Sequence, residues 1–244
     1  MLVLLPPSES KAPGGRGAPL RTESLSFPSL NPVRARLMDS LRTLSSNVAV
    51  ARKVLKLSEH QDAELANNLV IHESPTRPAI QRYTGVLYEG LDYASLSATA
   101  RRRADRTLVV SSALFGAVRP RDPIPAYRLS GGATLPDLGP LRSVWRQSLV
   151  PVLADAELVL DLRSAAYQAL APVPDAVTVR VLSVRPDGSR TVVSHHNKSH
   201  KGRLARALCT AARPARSVND VITAAREADL RLSVVDRRTL ELLV

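Results

Sequence analysis

Aromatic residues are scarce in this 244-residue chain: one Trp, two Phe and five Tyr make up 3% of positions. Its core must then be built from Leu, Val and Ala, because hydrophobic residues still account for 44%. Cysteine is almost missing. Cys209 alone excludes an intrachain disulfide and any multi-cysteine metal site, so a reducing cytoplasm is the default location. It lies in the helical apolar pattern "LARALCTAA" and reads as a small buried hydrophobe. Long hydrophobic runs are missing too. The opening "MLVLLPP" lacks a positive leader and falls far short of the roughly 20 apolar residues of a membrane span, so it reads as a buried strand with no membrane role.

What the chain has in excess is positive charge, 34 Lys and Arg against 22 Asp and Glu, a formal net charge of +12. Such an excess attracts nucleic acid, nucleotides or phosphorylated metabolites. An arginine-rich coding bias produces the same excess, so individual arginines carry little weight.

Apolar spacing organises the chain. Leu2 to Leu5 read as a strand stopped by Pro6 and Pro7. The polar, glycine-rich stretch from Ser8 to Pro32 is too long for an idle connection and is either mobile or part of a site. Residues 32–57 show helical spacing broken near "SSN", and Ser58 caps a further helix. Residues 77–83 read as a short helix, "TLVVSSALFG" as a strand entering a turn, and "LGPLRSVWRQSLVPVLAD" as a helix bent or ended by Pro151. "ELVLDLRS" is an apolar strand with a polar end, and "VTVRVLSVRPDGSRTVVSHH" is a hairpin turning at Asp187-Gly188. Two helices and two strands close the chain. Strands and helices mix without regular alternation, which predicts an α+β fold: a single domain over 1–244 with one mixed sheet flanked by helices.

Candidate chemistry gathers where strands end. The first strand delivers Ser8, Glu9, Ser10 and Lys11; "FGAVRPRDPIPAYR" delivers Arg119, Arg121, Asp122, Tyr127 and Arg128 on a proline-stiffened loop; "LDLRSAAY" delivers Asp161, Arg163, Ser164 and Tyr167. Each set is readable as ion pairs that fix a loop. All five tyrosines (83, 88, 93, 127 and 167) fall in or beside these loops rather than in helices, where their faces suit stacking.

"SHHNKSHKGR", residues 194–203, holds His195, His196 and His200. Adjacent histidines on a strand face opposite ways and no second ligand cluster completes a tetrahedral set, so no metal and no cofactor are expected. Lys198 and Lys201 precede a helix expected to begin near Gly202, where backbone donors and two ammonium groups suit an anion. "GGRG" lacks the ending of a P-loop. "LPDLGPLRS", residues 135–143, loosely matches the hairpin of a helix-hairpin-helix module, with Asp137 at a usual glycine position.

Taken in order, "PPSESK", "YTGVLYEGL", "SSALFGAVRPRDPIPAYRLSG", "LRSVW", "LDLRSAAY" and "NKSHKGR" resemble the successive motifs of the YaaA family, formerly domain of unknown function 328. The resemblance covers nearly the whole chain, and its longest block, RP-x-D-x-x-x-x-YRL, is specific. The chain departs from the family pattern at Glu9, at Asp161 in place of an asparagine, at Ala166 in place of a glutamate, and in a split cationic motif at Lys198, His200 and Lys201. The resemblance implies a mixed α/β fold with a basic cleft and a helix-hairpin-helix-like element, DNA binding, and a role against iron-driven oxidative damage.

Two functional expectations result. In the first, a cytoplasmic monomer binds DNA: Arg119, Arg128, Lys198 and Lys201 contact phosphate, Tyr83, Tyr127 and Tyr167 line the cleft, and Asp122, Ser164 and Gly202 complete it. In the second, the protein is an enzyme for a nucleotide or small anionic, phosphorylated substrate. Glu9 or Asp161 is then the base, Lys11 and Arg128 stabilise negative charge, and Tyr127 or His196 donates a proton. A purely structural role for the charged loops is the third reading. An enclosed pocket holding these residues favours the enzyme, and an open basic track favours the duplex.

Overall fold

The computed structural model describes residues 1–184, 190–192 and 197–244. In chain order its elements are β1 (Leu2–Leu5), β2 (Gly17–Pro19), α1 (Asn31–Ser45), α2 (Val48–Leu55), α3 (Asp62–Leu69), β3 (Pro75–Pro78), α4 (Ala79–Arg82), α5 (Val86–Leu91) and α6 (Ala98–Thr107). There follow β4 (Leu108–Ser112), β5 (Gly116–Val118), β6 (Pro123–Ile124), β7 (Thr134–Leu135), β8 (Gly139–Pro140), α7 (Leu141–Ala154), β9 (Val159–Asp161) and α8 (Ala165–Leu170). The last third holds β10 (Val177–Val184), β11 (Arg190–Val192), α9 (Asn197–Thr210), α10 (Val218–Glu227), β12 (Arg231–Asp236) and β13 (Thr239–Leu243).

Helices flank a main mixed sheet of eight strands, ordered β12-β13-β10-β9-β1-β4-β5 with β11 paired to β10. The fold is therefore the mixed α/β arrangement that the sequence predicts. Its centre is parallel: β1 pairs in parallel with β4 and β9, and β10 with β9 and β13. Antiparallel pairs occupy the margins, β4 with β5, β12 with β13, and β10 with β11. Central strands covered on both faces need apolar side chains on both, and β1 and β4 are buried at every position. After β1 the chain moves to β4 on one side, whereas after β9 it moves to β10 on the other. The carboxyl ends of β1 and β9 thus flank a topological switch point, where open α/β sheets form ligand crevices.

Several local expectations need correction. Arg77 and Pro78 belong to strand β3 rather than to the helix expected over 77–83, because Pro78 holds Arg77 extended; the helix is confined to Ala79–Arg82. The α7 helix continues through Pro151 to Ala154, so the proline occupies its last turn. Helix α9 starts at Asn197 rather than near Gly202. Gly202 is instead a packing residue: a Cβ there would stand 2.0 Å from the Leu87 carbonyl of α5, so only glycine permits this helix crossing. The tyrosines are not confined to loops, since Tyr88 lies in α5 and Tyr167 in α8. The Asp187-Gly188 turn, His195 and His196 lie outside the described residues.

Candidate functional site: a lysine cleft and an arginine groove

The loop leaving β1 brings Glu9 and Lys11 over the sheet rim. Lys11 and Tyr83 form an antiparallel bridge, reinforced by the Ala12 N–H donating to the Arg82 carbonyl at 2.8 Å. The Arg82 side chain is buried and donates to the carbonyls of Ala12, Pro75 and Ile124, which fixes this loop against α4. Lys11 Nζ is thereby placed 4.4 Å from the centre of the Tyr127 ring and 5.8 Å from that of Tyr83, where it donates to the Ser8 and Glu9 carbonyls at 3.2 and 3.3 Å. Burial outweighs the attraction of Glu9 and lowers the Lys11 pKa from 10.5 to about 8.

Behind the amine runs a buried hydroxyl chain. The Tyr83 and Tyr127 hydroxyls are 2.8 Å apart, the Tyr127 hydroxyl is 2.8 Å from Ser112 Oγ, and Ser112 Oγ accepts from the Phe115 N–H at 2.9 Å. Desolvation pushes Tyr83 up to about 12 and Tyr127 well above its ordinary value, so both stay protonated donors. Arg128 completes the wall, with its guanidinium 3.4 Å from Glu9 and 3.2 Å from Glu64 of α3. Asn68 clamps the Arg128 backbone from both sides, accepting from its N–H at 2.7 Å and donating to its carbonyl at 3.1 Å. Between them lies a cleft of about 490 Å³ lined by Glu9, Lys11, Gln61, Glu64, Tyr127 and Arg128.

Other predicted residues have different duties. Asp161 receives both Nε and Nη2 of the buried Arg163, at 2.9 and 2.7 Å, and the Arg163 N–H at 3.0 Å. Arg163 in turn donates to the Tyr167 and Ala171 carbonyls, so the pair pins the β9–α8 loop and leaves Asp161 no freedom as a base. Lys201 donates to the Leu162 carbonyl at 3.1 Å and is half-buried, which lowers its pKa; Lys198 is exposed. Ser164 is an exposed residue preceding α8. Tyr167 is buried, and desolvation raises its pKa. Asp122 accepts from the Ser26 N–H, Ser26 Oγ and the Arg119 N–H at 3.1, 2.8 and 2.9 Å. Arg119 lies over the Phe27 ring, 5.1 Å from its centre. These two residues staple the loop after β5 and do not line the lysine cleft. Asp137 accepts from Ser40 Oγ at 2.5 Å, tying the β7–β8 hairpin to α1.

A second feature was not predicted. Three adjoining hollows of about 490, 360 and 380 Å³ share Gln81 and form one groove past α4 and α6. Arg16, Arg77, Arg101, Arg102 and Arg121 line it. Asp105 within it accepts from the Tyr93 hydroxyl at 2.6 Å and lies 3.9 Å from Arg121. At one end the groove opens between Tyr83, Tyr88 and Tyr93, with the Tyr83 and Tyr88 rings stacked at 5.8 Å. The run "RRRADR" was the available signal, but only the fold sets it beside Arg16 and Arg77. Glu64 and Ser112 were also missed, for their partners are distant in sequence. Among the described residues no group of three or more His, Cys, Asp or Glu is placed to hold a metal ion, and no helix is long and apolar enough to cross a membrane.

Fold and site together define a mixed α/β protein with a small polar cleft built on the loop that leaves β1 and an arginine-lined groove beside it. The sequence model described as peroxide stress protein YaaA matches residues 1–230, and the chain belongs to that family. It is 48% identical to a UPF0246 protein of Corynebacterium glutamicum over 235 residues, covering 94% of each chain. Identity to a UPF0246 protein of Corynebacterium efficiens is 47% over the whole of both chains. A third UPF0246 protein, from Streptomyces coelicolor, is 50% identical over 214 residues, 85% of this chain and 82% of that one.

Proposed function

We propose that this member of the peroxide stress family acts in the cytoplasm by binding DNA along the arginine groove. The observation that carries the reading is the groove itself: five arginines against few carboxylates, on a chain of net charge +12. Arg101, Arg102 and Arg121 are exposed, so their guanidinium groups are open to a phosphate backbone. The phosphate contacts therefore shift from Arg119, which caps Phe27, to these residues. Fluorescence anisotropy of a labelled duplex across a salt series tests this. Log affinity falls linearly with log salt, and losing several phosphate contacts flattens the slope by about 0.9 each; binding that is insensitive to salt removes the reading.

A second reading is favoured by a separate observation, the cleft around Lys11. Its volume of about 490 Å³ is of the size that takes a small molecule. Here Lys11, Glu9, Arg128 and Tyr127 form an enzyme-like site, with Lys11 as the group that touches the substrate.

A further inference from the structure

The lysine cleft is set apart by balanced charge. Two cations, Lys11 and Arg128, face two carboxylates, Glu9 and Glu64, and Arg128 engages both carboxylates. That pattern has no surplus for a phosphate. What it leaves is an amine resting on aromatic faces, held by two backbone carbonyls, at the wall of a space open to a small molecule. The groups facing Lys11 are Glu9 and the Ser8 carbonyl from its own loop, Glu64 from α3, Arg82 from α4, Arg128, and the rings of Tyr83 and Tyr127.

We propose that Lys11 is the nucleophilic amine of an imine-forming site for a small polar aldehyde or ketone. The neutral Nζ gives its lone pair to the carbonyl carbon as the carbonyl oxygen takes up a proton, forming a carbinolamine. The hydroxyl then leaves with the remaining Nζ hydrogen as water, and a carbon–nitrogen double bond forms. One water is released, and no oxidant or reductant is consumed. Glu9, half exposed at the mouth, and solvent exchange the protons. Burial supports the step, because an amine with a pKa of about 8 is neutral in an appreciable fraction of molecules near pH 7. The inference rests on reading the cleft as an enzyme site and is independent of the groove.

The chain has five lysines, 11, 53, 56, 198 and 201, so the unaltered protein contains its own controls. Limiting glycolaldehyde with cyanoborohydride at pH 7, followed by peptide mass spectrometry, compares alkylation at each lysine, with the Met1 amino group as a reference. The expected result is labelling of Lys11 at least about tenfold above the exposed Lys53, Lys56 and Lys198, at a rate that saturates with aldehyde. Labelling spread over the exposed lysines, or a Lys11 rate linear in aldehyde like that of Met1, overturns it. A parallel reaction with an acetylating ester separates the two levels. Preferential acetylation of Lys11 without saturable alkylation ends the imine proposal and keeps the enzyme site; no preference with either reagent ends both.

Discussion

The lysine cleft and the arginine groove meet at Tyr83, whose ring stands near the Lys11 amine and also lines the first hollow of the groove. They treat positive charge differently. In the groove Arg101, Arg102 and Arg121 stand in water and keep their charge for a polyanion. In the cleft Lys11 is drawn off the solvent onto aromatic rings, and its charge becomes conditional, with a pKa near 8. One residue type attracts; the other is made reactive. Arginine cannot fill the second role, because its guanidinium stays protonated, whereas a lysine amine loses its proton once desolvated.

Around both lies a frame whose charges do neither. Replacing Asp161 by Ala leaves the buried Arg163 unpaired and costs about 3–5 kcal/mol in urea unfolding. A variant of near-parental stability would return Asp161 to the list of candidate bases. Gly202→Ala drives a methyl into the Leu87 carbonyl and costs about 1–3 kcal/mol through separation of α5 and α9. If Gly202 serves an anion instead, stability holds and only ligand affinity falls.

The groove is tested next. Arg101→Gln combined with Arg102→Gln should weaken duplex binding about tenfold and flatten the salt slope by about two, measured by anisotropy. Lys11→Met should leave both unchanged; a common loss would merge groove and cleft into one surface. Tyr127→Phe removes the hydroxyl that the Tyr83 hydroxyl and Ser112 Oγ share as a partner, and thermal unfolding should report a loss of about 1 kcal/mol.

A further test is a pH dependence with a defined sign. Between about 8 and 10.5 the unfolded chain holds a proton on Lys11 that the folded chain has released, so this residue makes stability rise with pH across that window. Above pH 10 Tyr83, pushed up to about 12, keeps a proton that the unfolded chain loses, and its contribution falls. Urea unfolding from pH 7.5 to 9.5 checks the first part: Lys11→Met should flatten the rise.

Much of the cleft was legible because strand ends announce themselves. "LVLL" running into "PPSESK" placed Glu9 and Lys11 on the rim, and the proline-stiffened loop placed Tyr127 and Arg128 there. Asp161 misled because a carboxylate ending an apolar strand is visible in sequence, whereas the return of Arg163 onto it, two residues later, is a property of the fold. Glu64 reaches Arg128 across 64 positions of chain and carries no local mark. Gly202 was expected near a helix start; its packing role is set by α5, which no local pattern reveals.

The contrast between a conditional and a permanent charge is open to a direct measurement. Selective isotope labelling of lysine side chains gives five signals, and their titration by NMR reads each amine separately. Lys11 should titrate near 8, lowered from the ordinary lysine value of 10.5. A Lys11 midpoint at that ordinary value would contradict the account, because the cleft would then hold an ordinary surface cation.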